Sequence, residues 1–164
     1  MPSQVLIDAR MQELAKKLNY AYRDLSHLAS AMYCKKEQGR GNYTNDAMAT
    51  VGDAVLKLIW SEHFFDLGLD KDEITAKKAD LENNTTLKSL CDLVGAQHYA
   101  YNDEHFASEA PAHRKLPHRD HDFYMEAIIV AIYRDRGLDY TRDWVLTFWG
   151  AHPEAICHLP CKKR

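Results

Sequence analysis

Apolar positions recur along most of this chain at helical spacing. Ile7, Met11, Leu14 and Leu18 alternate in steps of four and three, which predicts an amphipathic helix over residues 4 to 18. Asp24 or Ser26 can cap a second helix running to about residue 37, and the two glycines of "QGRGNY" then break the pattern. From 44 to 66 a long helix carries Met48, Val51, Val55, Leu58, Ile59, Phe64 and Phe65 around most of its circumference. Such a helix is expected at the centre of a bundle. After "GLDKDE" the spacing predicts helices near 72 to 80 and 83 to 94, the second with Leu87, Leu90, Leu93 and Val94 on one side. Residues 102 to 120, with Pro111 and Pro117 and little apolar periodicity, predict a long loop of the kind that often carries function. A strongly apolar helix, "FYMEAIIVAIYRDRG", starts near 122 and ends at Gly137; a final helix near 139 to 149 brings Trp144, Val145, Phe148 and Trp149. The expectation is an all-α fold with two buried helices at its heart, one domain over 1–150 and a C-terminal tail over 151–164.

Composition changes this picture little. A chain of 164 residues fits one domain with a core of its own. The formal net charge of −3 excludes a generally basic nucleic-acid protein, so any RNA-binding charge must be local. Cys34, Cys91, Cys157 and Cys161 are scattered, and no apolar signal segment or membrane-length run accompanies them. Free thiols in a reducing, cytoplasmic compartment and no membrane partner are the expectation. "CHLPC", with His152 and His158 nearby, has the look of half a zinc site, but its wide spacing favours a frayed end.

Candidate chemistry lies in "TVGDAVLKLIW", where Asp53 interrupts an apolar run directly after Gly52. A carboxylate in apolar surroundings demands a partner, a hydrogen bond or a metal. Glu126 poses the same question on the late helix. If the two helices pack together, their acids meet, and oxygen-only ligands favour Mg²⁺ or Mn²⁺. Asp46 shares a helix face with Ala49 and Asp53, although an acid there also suits the helix dipole. A mid-helix glycine often marks close approach by another backbone.

The segment "NDAMATVGDAVLKLIWSEHFF" resembles the ribonuclease III signature, N-E-R-L-E-F-L-G-D-A-V-L. "ITAKKADLENNTTLKSLCDLVG" and "MEAIIVAIYRDRG" are similar to later motifs of that family, in the family's order, and the likeness extends over about residues 20 to 149. The resemblance implies the ribonuclease III endonuclease-domain helical bundle, with Asp53 and Glu126 as catalytic metal ligands and Asp46 at the first signature glutamate. Two family acids fall on Ala49 and Phe123, with Asp122 one position away as a substitute ligand. The Mini-III subgroup, an active nuclease, is similar in these departures and also lacks a double-stranded-RNA-binding domain. The family's interface aromatic falls on Thr50, for which Met48 or Trp60 could compensate in a homodimer. Arg114, Lys115 and Arg119 of "HRKLPHRDH", and Lys77 and Lys78, are the candidate RNA contacts.

The expected activity is Mg²⁺-dependent hydrolysis of double-stranded or structured RNA to 5′-phosphate and 3′-hydroxyl ends, with Mn²⁺ as a substitute and RNA processing as the setting. An inactive relative that binds RNA or the ribosome is the alternative. More remote is an HD-type phosphohydrolase built on His121 and Asp122 with His98 and Asp135.

Overall fold

The computed structural model describes residues 2–39, 41–109 and 122–160. It holds seven α-helices: α1 (Gln4–Lys17), α2 (Ser26–Met32), α3 (Asp46–Asp66), α4 (Lys71–Glu82), α5 (Asn84–Val94), α6 (Asp122–Arg136) and α7 (Leu138–Ala151). Among the described residues β-pairing is limited to isolated bridges, so the all-α expectation holds.

The axis of the molecule is α6, which packs against α2, α3, α5 and α7. Residues 127 to 132 and Tyr124 and Met125 are all buried, as an apolar run without polar relief requires. Gly137, at φ +87°, turns the chain from α6 into α7 in a conformation that a side chain disfavours. Two indoles lock distant segments together while satisfying their own N–H groups: Trp144 Nε1 donates to the Leu18 carbonyl and Trp149 Nε1 to the Leu81 carbonyl, each at 2.8 Å.

Helix α2 ends at Met32, earlier than the apolar pattern predicts. The chain beyond it turns extended, with Tyr33 bridging Tyr101 and Lys36 bridging Tyr43. Long-range pairing here outcompetes local propensity. Buried Asn45 then donates from Nδ2 to the Ala31 carbonyl at 2.8 Å and fixes the start of α3 against α2.

Only one side of α3 is buried, through Ala49, Gly52, Leu56, Ile59, Trp60 and Phe64. Val51, Leu58 and Phe65, spaced by seven, are 41%, 47% and 71% exposed, so this helix lies at the rim and not at the heart of the bundle. Its wide apolar circumference reports two surfaces, one internal and one facing outward.

The tail is tied down more firmly than a frayed end. Cys157 N–H donates to Thr86 Oγ1, Asn83 Nδ2 donates to the Cys157 carbonyl, and Leu159 N–H donates to Asp80 Oδ1. Cys34 and Cys91 are free and buried, whereas Cys157 is disulfide-bonded, which corrects the free-thiol expectation at that position.

Candidate active site at a helix crossing

The crossing of α3 and α6 is set by Gly52. A Cβ at this position would lie 1.9 Å from the Glu126 carbonyl oxygen and 2.5 Å from its carbonyl carbon. Only hydrogen fits there, so the glycine next to Asp53 is what lets the α6 backbone approach at Glu126. The oddity of Gly52 and the partnership of the two acids therefore have one cause.

Around this crossing a cleft of about 560 Å³ is lined by Asp46, Ala49, Thr50, Asp53 and Glu126, with Glu37 and Tyr43 from the connection before α3. Glu126 is half-buried, the one such opening on α6 between residues 124 and 132. Asp53 is 43% exposed, contrary to the expectation of an acid sunk in apolar surroundings. It sits on the cleft side of α3, where the apolar run is interrupted and water reaches it. Asp46 stands at the start of α3, where its Oδ2 accepts the Tyr43 N–H at 2.9 Å, and its side chain also lines the cleft. Ala49, at the position of the absent signature glutamate, is 5% exposed and forms part of the cleft wall.

Two charged side chains that the sequence does not single out adjoin the site. Lys57 Nζ donates to Asp53 Oδ1 at 2.5 Å, one helical turn on. Burial pulls the Lys57 pKa down, but the hydrogen bond to Asp53 and the fields of Glu82, Asp53 and Glu126 outweigh it and leave it raised. Glu82, at the end of α4, is held above the ordinary carboxyl range by burial and by Asp53, partly offset by Lys57 and Lys78. The charge of Lys78 acts on Glu82, while that of Lys77 acts on Asp80. Helix spacing could have flagged Lys57; the meeting of α4 with α3 is invisible in one dimension.

Arg114, Lys115, Arg119 and His121 lie outside the described residues, and Asp122 is described only as the first residue of α6. The HD-type arrangement is excluded by its other members. His98 is exposed beyond α5, and Asp135 is 1% exposed and fully used in structure. Its carboxylate accepts from Tyr20 Oη, the Arg23 N–H and the Asp24 N–H at 2.9–3.0 Å. Along α6 it is about 13 Å from Glu126.

The donor set of the cleft is all oxygen, which suits a hard divalent cation. Among the described residues no three His, Cys, Asp or Glu side chains converge into a metal cage. A cation here would take one or two carboxylates and fill its remaining positions with water and substrate, the usual habit of Mg²⁺.

Fold and site together define an all-α protein with an acidic cleft where two helices touch backbone to backbone. The Ribonuclease III domain model matches residues 46–137, the whole of α3 through α6, and the chain belongs to that family. It is 27% identical over 158 residues to Ribonuclease 3 of Chloroflexus aurantiacus, covering 92% of this chain and 64% of the relative. With Ribonuclease 3 of Sulfurovum sp. it shares 30% over 133 residues, 80% of this chain and 57% of the relative. The chain thus spans about three-fifths of these relatives' length. The nuclease domain of ribonuclease III from Campylobacter jejuni, a structure described for flexibility in its dimer-forming region, superposes with a TM-score of 0.68 at 22% identity, over 87% of this chain and 99% of that one.

Proposed function

We propose that this protein is a divalent-metal-dependent endoribonuclease that hydrolyses double-stranded or structured RNA. The observation that carries the reading is the contact of Gly52 with the Glu126 backbone, which sets Asp53 and Glu126 on one open cleft. Family membership supports the same chemistry. An A-form duplex offers phosphates, 2′-hydroxyls and shape in place of readable base edges, so recognition would be largely geometric.

Asp53 and Glu126 would hold Mg²⁺, or Mn²⁺ in its place, with Asp46 and Asp122 as further oxygen donors at the two helix starts. The cation would supply Lewis-acid charge to the phosphodiester and increase the acidity of the attacking water. In the reaction the water oxygen bonds to phosphorus, the bond from phosphorus to the 3′ oxygen breaks, and that oxygen takes up a proton. The products are a 5′-phosphate and a 3′-hydroxyl. Lys78 and the basic segment at Arg114, Lys115 and Arg119 would contact phosphates, with Lys77 secondary.

A homodimer completes this reading. The exposed stripe of Val51, Leu58 and Phe65 is the surface that would be covered, in place of Met48 and Trp60; Trp60 is 4% exposed and Met48 packs on the chain's own core. No helix among the described residues is long and apolar enough to cross a membrane. A cytoplasmic site of action and a role in RNA processing belong to the same proposal.

The test is cleavage of a long RNA duplex with Mg²⁺ and with Mn²⁺ by the wild type, Asp53→Asn and Glu126→Ala. Wild-type cleavage to 5′-phosphorylated fragments, with a loss of at least about a hundredfold in either folded variant, supports the reading. Binding without cleavage in both metals would instead make the chain an RNA- or ribosome-binding relative with a lost site, as Ala49 suggests.

A further inference from the structure

The "CHLPC" segment takes no part in the chemistry of the cleft. Cys157 is disulfide-bonded; with Cys34 and Cys91 free and buried, Cys161 is the one cysteine of the chain left to pair with it. The loop so closed sits on the junction of α4 and α5 through Asp80, Asn83 and Thr86, three polar residues spaced by three. The Cys157 N–H donates to Thr86 Oγ1 at 2.8 Å, Asn83 Nδ2 donates to the Cys157 carbonyl at 2.9 Å, and the Leu159 N–H donates to Asp80 Oδ1 at 2.8 Å. Asp80 Oδ2 also lies 3.0 Å from His158 Nδ1. The same residues close the junction itself: Thr86 Oγ1 donates to the Asp80 carbonyl at 2.7 Å, and Asn83 Oδ1 accepts the Thr86 N–H at 2.9 Å. Tail and junction therefore share one hydrogen-bond network. Helix α4 depends on it most, because none of its residues is fully buried.

We propose that Cys157 and Cys161 form a reversible redox site, open to small thiols of the glutathione class, whose disulfide clamps the tail on this junction. Cys157 is only partly buried, and His158, Leu159 and Pro160 beside it are exposed, so a reductant reaches the bond without opening the core. Lys162, Lys163 and Arg164 follow Cys161 in the sequence, and positive neighbours favour the thiolate that exchange requires. A reductant thiolate attacks one sulfur, forms a mixed disulfide and releases the other cysteine as a thiolate, which takes up a proton. A second reductant thiol displaces the first, leaving two protein thiols and one oxidised reductant, a two-electron exchange. In a reducing compartment such a bond is a transient, sensing one. Its reduction returns conformational freedom to the tail, weakens the hold on Asp80, Asn83 and Thr86, and loosens α4 with its Lys77 and Lys78.

The test equilibrates the full chain near neutral pH in mixtures of reduced and oxidised glutathione. Alkylation with peptide mapping reads the pairing, and hydrogen exchange reads the clamp. Under oxidised glutathione, Cys157 and Cys161 should be joined and resist alkylation. Excess reduced glutathione should open the bond; the Cys157 and Leu159 amides should then lose about tenfold in protection, followed by the last turn of α4, while α6 amides hold. Cys161→Ser, which leaves the contacts of residues 157 to 159 in place, should show that low protection at every ratio. A pair that never forms, a bond that saturating reductant leaves closed in the folded chain, or an opened bond with unchanged protection at 157, 159 and α4 would each overturn the proposal.

Discussion

Gly52 and Asp135 show how single residues divide the labour of α3 and α6. At Gly52 the added methyl of an alanine would occupy space held by the Glu126 backbone, which cannot rotate out of the way as a side chain could. Gly52→Ala should therefore lose about 3 kcal/mol of stability in a urea titration and weaken Mn²⁺ binding, because the helices must separate where the acids meet. Asp135 works at the opposite end of α6 as a structural clamp for the segment entering α2, accepting from Tyr20, Arg23 and Asp24. Asp135→Ala strands two backbone N–H groups and should cost about 2–4 kcal/mol, measured by the same titration, with Mn²⁺ affinity retained in the folded fraction. The pair separates damage to the site from damage to the fold.

Among the elements, α4 links the site to the tail. Its last turn offers Glu82 toward Lys57 and Asp80 toward the chain after α7, where Asp80 accepts from the Leu159 N–H at 2.8 Å and pairs with His158 at 3.0 Å. Burial opposes the charge on Asp80, but the Leu159 and His158 contacts win and hold its pKa below the ordinary aspartate value. A depressed carboxyl pKa contributes stability that is present above the unfolded value, about 3.9, and is lost as pH falls through the folded one. Acidification from pH 6 to below 4 should thus lower the protection factor of the Leu159 amide, its rate relative to the pH-dependent intrinsic rate, well before α6 amides are affected, as read by hydrogen exchange. Asp80→Ala should show that low protection already at pH 6.

For the whole molecule, the outward stripe of α3 is the surface through which the proposed homodimer would form. Phe65, Leu58 and Val51 are exposed at a spacing that keeps them on one face, running along the same helix that carries Asp53. Leu58→Asp with Phe65→Asp should convert a dimer to a folded monomer in sedimentation equilibrium, keep Mn²⁺ binding, and reduce duplex cleavage at least about tenfold. An unchanged mass would show that these residues are ordinary surface.

The sequence alone determined the helices, because periodic burial and its interruption by glycine and proline are local properties of the chain. It also singled out Asp53, Glu126 and Asp46, which the fold brings to one cleft, and Gly52 was legible as a place where something approaches closely. Only the tertiary structure decided what approaches it. Apolar periodicity states that a face is to be covered without stating by what, so α3 read as a central helix although one of its faces looks outward. The same gap hid Glu82, which meets Lys57 through the packing of α4 on α3, and made Asp135 eligible for metal chemistry until its carboxylate was found committed to Tyr20, Arg23 and Asp24. Charge and burial are relations between segments far apart in the chain, and they come into being only when those segments pack.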